Sequence, residues 1–297
     1  MSGAPLYLGV DGGATRSRVR LRDAYGRTLA EAGGAAANIH VDFEAAVDVL
    51  RAVVAKAMEK GGLAGADRAR MAIGFGLAGI EDASDVAHVV DAFLGFRLVR
   101  AANDAVTACI GAHAGADGGL VIAGTGSAAI ARVNGEETII GGRGFTIGDG
   151  GSGSHIGLDA MRAAMRAFDS LGPASPLTED VIARFDGDAV AMMRWARHAR
   201  PGDFGALAPS VFSRAAEDDP VAREIVVRAA RAIGALARGT VALGAERVAL
   251  VGGAGEALRP YFEPDIAALL KSPLYDAADG AILLVGGTIA PQREAAQ

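Results

Sequence analysis

Alternating apolar and polar positions at the start of the chain predict a three-stranded β-meander. An apolar run over 6–10 breaks at a glycine pair, and the segment "RSRVRLRD" then alternates arginines with small or apolar side chains. A turn at Tyr25-Gly26 leads to a third predicted strand over 28–32. The arginines from Arg16 to Arg22 fall on one face, which we interpret as a solvated face of the meander.

Helical spacing replaces the alternation after Asp42, a plausible N-cap. Apolar residues then recur at helical intervals until the glycine pair at 61–62 ends the helix. Two more strands, "RMAIGFGLAG" and "FRLVRA", are separated by a short predicted helix. The first part of the chain therefore has an α/β pattern.

The same order of elements returns further along the chain. The stretch "GGLVIAGTGSAAIARVNGEETIIGG" is an apolar strand, a glycine-rich turn, a second strand, an Asn134-Gly135 hairpin signal and a third strand. Each copy has glycines and a hydroxyl at its first turn. Two related α/β domains are predicted, 1–115 and 116–297, with the two turns lining a central cleft and the extreme C-terminus free to pack back on the first domain.

Helices dominate the sequence beyond residue 148. One of them begins at Asp219 with Pro220 in its first position. A strand, a Gly252-Gly253 turn and a helix follow in "RVALVGGAGEALRPYF", an arrangement that brings backbone amides to a ligand. The apolar run at 282–285 predicts a last strand.

Composition excludes several classes of protein. The formal net charge of −6 and the pI near 5.4 argue against a nucleic-acid partner. The single cysteine, Cys109, excludes an internal disulfide, a cysteine-ligated zinc site and a four-cysteine iron–sulfur cluster within the chain. Neither a signal peptide nor a membrane segment is recognisable, so we expect a cytoplasmic protein without a membrane partner.

Three nucleotide-binding motifs could explain the glycines. A P-loop needs a lysine next to its last glycine, and none of Lys56, Lys60 and Lys271 has that context. A dinucleotide fingerprint matches formally over 124–129, but a strand follows it where a helix is required. The third interpretation is a pair of hairpin turns whose backbone amides hold phosphates, with Asp11 as a magnesium ligand.

Six motifs in order resemble the actin-like ATPase superfamily. They are "GVDGGATRS", "LAGIED", "NDAVTA", "IAGTGSAA", "GGRGFTIGDGGSG" and "ALVGGAG", and they cover nearly the whole chain. Together they resemble the N-acetylglucosamine kinase and glucosamine kinase branch of the BadF/BadG/BcrA/BcrD-type ATPases. The resemblance implies an α/β protein of two ribonuclease-H-like domains with a central cleft for ATP and a sugar.

The resemblance also implies roles for individual residues. Asp104 is the expected catalytic base, and Asp11 faces Mg²⁺. The expected ATP-binding residues are Asp11, Gly12, Gly13, Thr15, Gly124, Thr125, Gly126, Gly205, Gly252 and Gly253. The expected sugar-binding residues are Asn38, Asn103, Asp104, Ser127, Ala128, Gly142, Arg143, Gly144 and Asp149. Gly150 departs from the glutamate usual in this branch, which leaves the identity of the sugar open.

Simpler interpretations exist for single residues. Asp11 before two glycines is also typical of a turn, and Asp104 could simply cap the helix that follows it. Asn38 could be a loop or cap residue, and Asp149 could belong to a tight turn. The repeated turn and the ordered motifs favour the functional interpretation of each.

The predicted enzyme is an ATP:hexosamine 6-phosphotransferase that uses ATP and Mg²⁺. N-acetylglucosamine is the first expected substrate and glucosamine the alternative. Relatives are often dimeric, so a homodimer is one expectation. Activators of radical dehydratases need at least two cysteines per chain, and zinc-bearing sugar kinases are disfavoured by the same cysteine count. The rival from another class is a non-catalytic, ATP-dependent sensor or assembly protein.

Overall fold

A computed structural model describes residues 4–13 and 15–290 of the chain. Ten strands occur in this part of the chain: β1 (Leu6–Gly12), β2 (Ser17–Asp23), β3 (Thr28–Gly34), β4 (Met71–Leu77), β5 (Leu98–Asn103), β6 (Gly118–Ala123), β7 (Ser127–Val133), β8 (Glu136–Gly141), β9 (Val248–Val251) and β10 (Leu270–Lys271).

Helices connect the strands. They are α1 (Phe43–Lys60), α2 (Ala83–Ala92), α3 (Asp104–Ala112), α4 (Gly153–Phe168), α5 (Pro176–Ala183), α6 (Ala189–His198), α7 (Pro201–Gly205), α8 (Ala208–Ala216), α9 (Pro220–Ala242), α10 (Gly253–Leu258), α11 (Pro264–Leu269) and α12 (Ala277–Leu284). Short 3₁₀ helices cover Gly65–Arg70 and Arg259–Tyr261. None of the described helices combines the length and the apolar character that crossing a membrane requires.

The described residues form two units, each with a five-stranded mixed sheet. The first unit contains the residues up to Asp117 together with those from Pro273 onward, and its strand order is β3-β2-β1-β4-β5. The second unit contains Gly118–Ser272, and its strand order is β10-β9-β6-β7-β8. In each sheet an antiparallel meander continues into parallel strands. The expected α/β class and the repeated meander are therefore confirmed.

Each unit has a hydrophobic core of its own. In the first unit, α1 buries an apolar stripe that includes Val47, Leu50 and Val54 against strand residues such as Leu8 and Leu21. The carboxylate of Asp42 caps this helix by accepting the N–H of Ala45, as the sequence indicates. In the second unit, α9 packs against β6, β7 and β9, and α4 and α8 pack against α9.

The predicted last strand at 282–285 is wrong, because these residues lie in and directly after α12. This helix packs against α3, β1 and β4 of the first unit. Its Ala278, Ala281 and Ile282 are fully buried. A short apolar run buried on several sides looks the same in a strand and in a helix, so periodicity cannot separate them.

The approach of α12 to its neighbours depends on glycine. A Cβ atom at Gly9 would lie 1.9 Å from the carbonyl oxygen of Ala278, and one at Gly280 would lie 1.8 Å from the carbonyl oxygen of Thr107. Any larger residue at either position would push the helix away from β1 or from α3. The glycines at these positions therefore let the C-terminal helix pack backbone against backbone.

The predicted solvated face of arginines on β2 is wrong for Arg20 and Arg22, whereas Arg16 is exposed and Arg18 is 37% exposed. Arg20 and Arg22 are buried, and the guanidinium of Arg22 donates two hydrogen bonds, of 2.8 and 3.0 Å, to the carboxylate of Asp279. Arg20 lies 2.9 Å from a carboxylate oxygen of Asp276 and 2.8 Å from one of Asp279. These acidic partners belong to the N-terminal region of α12, which therefore covers Arg20 and Arg22.

We expect Gly280→Ala to lower the free energy of unfolding of the first unit by about 3 kcal/mol or more, because the added methyl overlaps a backbone carbonyl that cannot rotate away. Urea denaturation followed by circular dichroism measures this change. Gly65→Ala is the matched control, since its Cβ would meet no atom within 4 Å. Equal stabilities of the two variants would contradict the proposed packing constraint.

Candidate active site

A hairpin turn joins β1 to β2 at one edge of the first sheet. The pairing of Gly12 with Ser17 closes the hairpin, and the N–H of Gly13 donates a 3.0 Å hydrogen bond to the carbonyl of Arg16 across the turn. Asp11 lies just before the turn with 30% of its side chain exposed. Thr15 is exposed at the turn itself. The expected phosphate loop is thus a true hairpin turn.

Parallel pairing brings the ends of three strands to this same edge. Gly12 pairs with Leu77 of β4, and Leu77 pairs with Asn103 of β5. Asp104 follows directly as the first residue of α3. The carboxylates of Asp11 and Asp104 therefore lie at one edge of the sheet, although many residues separate them in the sequence.

Backbone hydrogen bonds hold the loops at this edge together. The N–H of Ala78 donates to the carbonyl of Gly12 (2.9 Å), and the N–H of Ala37 donates to that of Gly13 (3.2 Å). The N–H of Ile39 donates to the carbonyl of Ala78 (3.2 Å). The segment that carries Asn38 is consequently fixed against the hairpin turn and against the loop that follows β4.

Two asparagines complete this part of the site. The side-chain oxygen of Asn38 accepts the N–H of His40 (2.9 Å), and the side-chain nitrogen of Asn103 donates to the carbonyl of Ile80 (2.9 Å). Asn103 is also the N-cap of α3, because its side-chain oxygen accepts the N–H of Ala105 (2.9 Å). The alternative that Asp104 is the cap residue is therefore wrong: Asp104 is the first residue inside the helix, although its carboxylate also accepts the N–H of Ala105 (2.9 Å).

Burial raises the pKa of both carboxyl groups. For Asp104, the loss of hydration raises the pKa, and the hydrogen bond from the backbone N–H of Ala105 opposes this rise only in part. For Asp11, burial is again the largest cause, the nearby charges of Asp104 and Asp276 raise the pKa further, and the charge of Arg18 lowers it. Each aspartate is thus a stronger proton acceptor than an exposed one.

The second unit repeats the hairpin turn. Ala123 pairs with Ser127, and the N–H of Gly124 donates to the carbonyl of Gly126 (3.0 Å) within the turn. The start of α4 contacts the turn, because the N–H of Gly153 donates to the carbonyl of Gly124 (2.8 Å). The expected second phosphate loop is therefore a hairpin turn supported by a helix.

A cavity of about 670 Å³ opens beside this turn, entirely within the second unit. Four predicted ATP-binding residues line it: Gly124, Thr125, Gly205 and Gly253. The remaining lining residues are Gly153, Gly202, Ala208, Pro209, Phe212, Ala254 and Ala257. The wall is small, apolar and free of charged side chains, which suits a flat, neutral aromatic ring.

The turn after β9 reaches the cavity through parallel pairing. β9 lies beside β6 with Val251 opposite Ile122, so the residues after both strands meet at one edge of the sheet. Gly252 has φ +104° and would place a Cβ atom 2.3 Å from the carbonyl oxygen of Ala123. Only glycine combines that backbone conformation with so close an approach. Gly252 does not line the cavity itself but positions Gly253, which does.

Asp149 lies near the C-terminal end of the 141–151 loop and contacts the second hairpin turn. Its carboxylate accepts the N–H of Ser127 (3.3 Å), and the hydroxyl of Ser127 donates to the carbonyl of Gly150 (2.9 Å). The N–H of Gly142 donates to the carbonyl of Ser127 (3.2 Å), and Gly142 lies against the side chain of Ala128. The structure thus groups these predicted sugar-binding residues, whereas Arg143 and Gly144 are exposed on the same loop.

Several cavity residues carry no recognisable signal in the sequence. Phe212, Pro209 and Ala208 lie on α8, and Gly202 lies at the start of α7. The motif "DFGALAPSVF" contains three of them, but only its glycine is among the predicted ATP-binding residues. An apolar residue on a short helix is usually part of a core, so the pattern alone does not indicate that it faces a ligand.

Two known proteins similar to this chain are amino-sugar kinases by name. Glucosamine kinase GspK of Vibrio cholerae is 34% identical over 280 residues, which are 94% of this chain and 95% of that protein. N-acetyl-D-glucosamine kinase of Dictyostelium discoideum is 28% identical over 246 residues, 77% of this chain and 76% of that protein.

A solved structure has a similar fold over almost its full length. It is a protein of Chromobacterium violaceum provisionally assigned as an N-acetylglucosamine kinase, with a TM-score of 0.86, 35% identity, and coverage of 95% of this chain and 99% of that one. This similarity confirms the predicted actin-like ATPase fold class.

The model of one protein family covers residues 8–285, nearly the whole chain, including both hairpin turns and α12. Together with the full-length similarity to kinases, this match shows that the protein is an ATP-using enzyme. The chain belongs to the BadF/BadG/BcrA/BcrD ATPase family.

Proposed function

We propose that this enzyme transfers the γ-phosphate of ATP to the 6-hydroxyl of an amino sugar, with Asp104 as the base. The observation that carries the proposal is the placement of Asp104 and Asp11 at one edge of the first sheet, beside the hairpin turn. Kinases need one group to accept the proton of the attacking hydroxyl and others to position phosphates. Asp104 and the turns supply these two roles.

The proposed step is a direct displacement at the γ-phosphorus. A bond forms between the sugar 6-oxygen and the γ-phosphorus, and the bond from that phosphorus to the β,γ-bridging oxygen breaks. The hydroxyl proton goes to the carboxylate of Asp104, and ADP leaves. Burial favours this proton transfer, because it raises the pKa of Asp104.

Asp11 is the proposed magnesium ligand. The described residues contain no cluster of three or more His, Cys, Asp or Glu side chains placed to hold a metal ion. This fits Mg²⁺, which usually binds through one or two carboxylates, water and the phosphates of its nucleotide. When bound, Mg²⁺ neutralises the charge of the phosphate oxygens. Asp11 would hold it from the end of β1, beside the turn amides.

The nucleotide base is proposed to occupy the 670 Å³ cavity of the second unit. The support for this is the chemistry of the wall, where glycines and alanines leave room for adenine and Phe212 adds an aromatic surface. The remaining predicted roles of Asn38, Asp149 and the 142–144 loop in sugar binding stay predictions, as do a homodimer and a cytoplasmic location.

Two sugars fit the proposal. N-acetylglucosamine is the sequence-based expectation, while the 34% identical relative is named a glucosamine kinase. A coupled ADP-release assay with glucosamine, N-acetylglucosamine, glucose and N-acetylmannosamine should show turnover that depends on an amino sugar, and phosphorus NMR should place the new phosphate on the 6-oxygen. The ratio of the kcat/KM values identifies the preferred sugar. Absence of sugar-dependent ADP release with every hexosamine would refute the proposed function.

Replacing the base tests the mechanism. We expect Asp104→Asn to lower kcat by about 10²- to 10⁴-fold, the usual contribution of a general base, while calorimetry shows ATP binding of wild-type strength. The exposed Asp91 of the same unit provides the control variant, Asp91→Asn. Unchanged turnover in Asp104→Asn would show that another group accepts the proton.

The same variant has a predicted effect on stability. Burial raises the pKa of Asp104 in the folded state above the usual 3.8, so ionisation of this group opposes folding once the pH exceeds the raised value. At pH 7 the asparagine variant should therefore be at least as stable as the wild type in urea denaturation. A large loss of stability at pH 7 would show that ionised Asp104 stabilises the fold, contrary to this expectation.

The raised pKa of Asp104 also predicts the pH dependence of activity. The wild-type kcat/KM should fall at low pH as Asp104 is protonated, and the midpoint of this fall should lie above pH 3.8.

Filling the cavity tests the nucleotide site. A Cβ atom at Gly253 would meet no other atom within 4 Å, so the backbone accepts a side chain there. We expect Gly253→Leu to raise the KM for ATP by about tenfold or more through loss of contacts worth about 1.4 kcal/mol, with the sugar KM unchanged. Gly253→Ala is the matched control with a far smaller effect. Equal ATP KM values for the leucine variant and the wild type would exclude this cavity as the base site.

A further inference from the structure

The guanidinium of Arg18 on β2 lies between two carboxylates of the first unit. One of its terminal nitrogens is 2.9 Å from a carboxylate oxygen of Asp276 and 3.8 Å from a carboxylate oxygen of Asp11. All three side chains are about one-third exposed. Two acidic groups far apart in the sequence thus share one cation next to the hairpin turn.

The sheet fixes the pairing of Arg18 with Asp11. The two residues are directly opposite each other in the antiparallel register of β1 and β2, so their side chains project from the same face. This is the face that α12 covers, because Gly9, two residues before Asp11, contacts the backbone of that helix. Arg18 can therefore reach Asp11 and the start of α12 at the same time.

Asp276 is itself held in place. It is the N-cap of α12, where its carboxylate accepts the N–H of Asp279 (3.0 Å). The other nearby cation, Arg20, lies 2.9 Å from the same carboxylate and is largely buried. Asp276 can thus act as a rigid anchor for the guanidinium of Arg18.

No lysine offers an alternative cation at this position. Of the three lysines in the chain, Lys56 is exposed on α1, Lys60 donates to the backbone carbonyl of Glu31, and Lys271 belongs to the second unit. Within the described part of the chain, Arg18 is the residue whose side chain lies within ion-pair distance of Asp11. A guanidinium can bridge two carboxylates in fixed directions, whereas an ammonium acts as a point charge.

We propose that Arg18 is a positioning residue for the Asp11 carboxylate, and that Asp276 at the start of α12 anchors it. The inference rests on the proposed role of Asp11 toward magnesium-ATP. In this arrangement the C-terminal helix is part of the nucleotide site without touching the nucleotide. Arg20 and Arg22 attach α12 to β2 through ion pairs. Arg18 instead contacts both Asp276, the N-cap of α12, and Asp11, so the position of the helix affects the position of the Asp11 carboxylate.

The test is the dependence of ATP binding on magnesium. Partners that orient a metal ligand typically contribute 10- to 100-fold to metal affinity. We therefore expect Arg18→Gln to raise by about tenfold or more the Mg²⁺ concentration that gives half-maximal ATP binding, measured by calorimetry without sugar. Asp276→Asn, which keeps a side-chain oxygen for the N-cap but removes the charge, should shift it in the same direction. The sugar KM should not change in either variant.

Two further variants separate positioning from simple charge or stability effects. Arg27→Gln is the matched control on the same meander, because Arg27 is 71% exposed and pairs with Asp23. It should leave the Mg²⁺ dependence unchanged. Arg18→Lys keeps the charge and should restore the Mg²⁺ dependence only in part. Urea denaturation of every variant shows whether a shift exceeds what lost stability explains.

Three results would overturn the inference. They are a wild-type Mg²⁺ dependence in Arg18→Gln, full recovery in Arg18→Lys, and no effect of Asp276→Asn. Because ATP binding is measured without a sugar, the inference and the proposed function fail separately: a protein that phosphorylates no sugar could still show the Arg18 effect, and an active kinase could lack it.

Discussion

In-register pairing of parallel strands is the constraint on which both halves of this enzyme depend. In the first unit it brings the ends of β1, β4 and β5 to one edge, where Asp11 and Asp104 lie. In the second unit it brings the ends of β6 and β9 together, so that the hairpin turn meets the Gly252 turn. A shift of the strand register by one residue would move every side chain to the opposite face of the sheet. The hydrogen-bonded pairing of the strands therefore fixes these positions.

The two units use this shared framework for different chemistry. The first unit carries partly buried carboxylates, whose pKa values are raised by burial and whose surroundings are fixed by backbone hydrogen bonds between loops. The second unit carries a cavity without charged side chains, where small residues leave space for a ring. The repeated fold thus places partly buried carboxylates at the strand ends in one copy and an uncharged cavity beside the hairpin turn in the other.

The sequence predicted the elements whose signals are local. Both meanders, the Asn134-Gly135 hairpin, the cap at Asp42 and the start of α9 at Asp219 follow from neighbouring residues, and the structure shows them all. The errors concern residues whose partners are distant. Arg20 and Arg22 look like part of a solvated face because their partners, Asp276 and Asp279, lie 256 and 257 residues further along the chain. The apolar run of α12 looks like a strand because its burial on several sides hides the helical period.

The sequence by itself determined the α/β class, the repeat and the residue types available for phosphoryl transfer, because short-range patterning and turn chemistry suffice for these. Only the tertiary structure decided that Phe212 faces the cavity, and that Asp276 at the start of α12 pairs with Arg18 beside Asp11. The physical reason is that burial, ion pairing and the pKa of a carboxyl group depend on which distant groups displace water from it, and spacing along a chain does not contain that information.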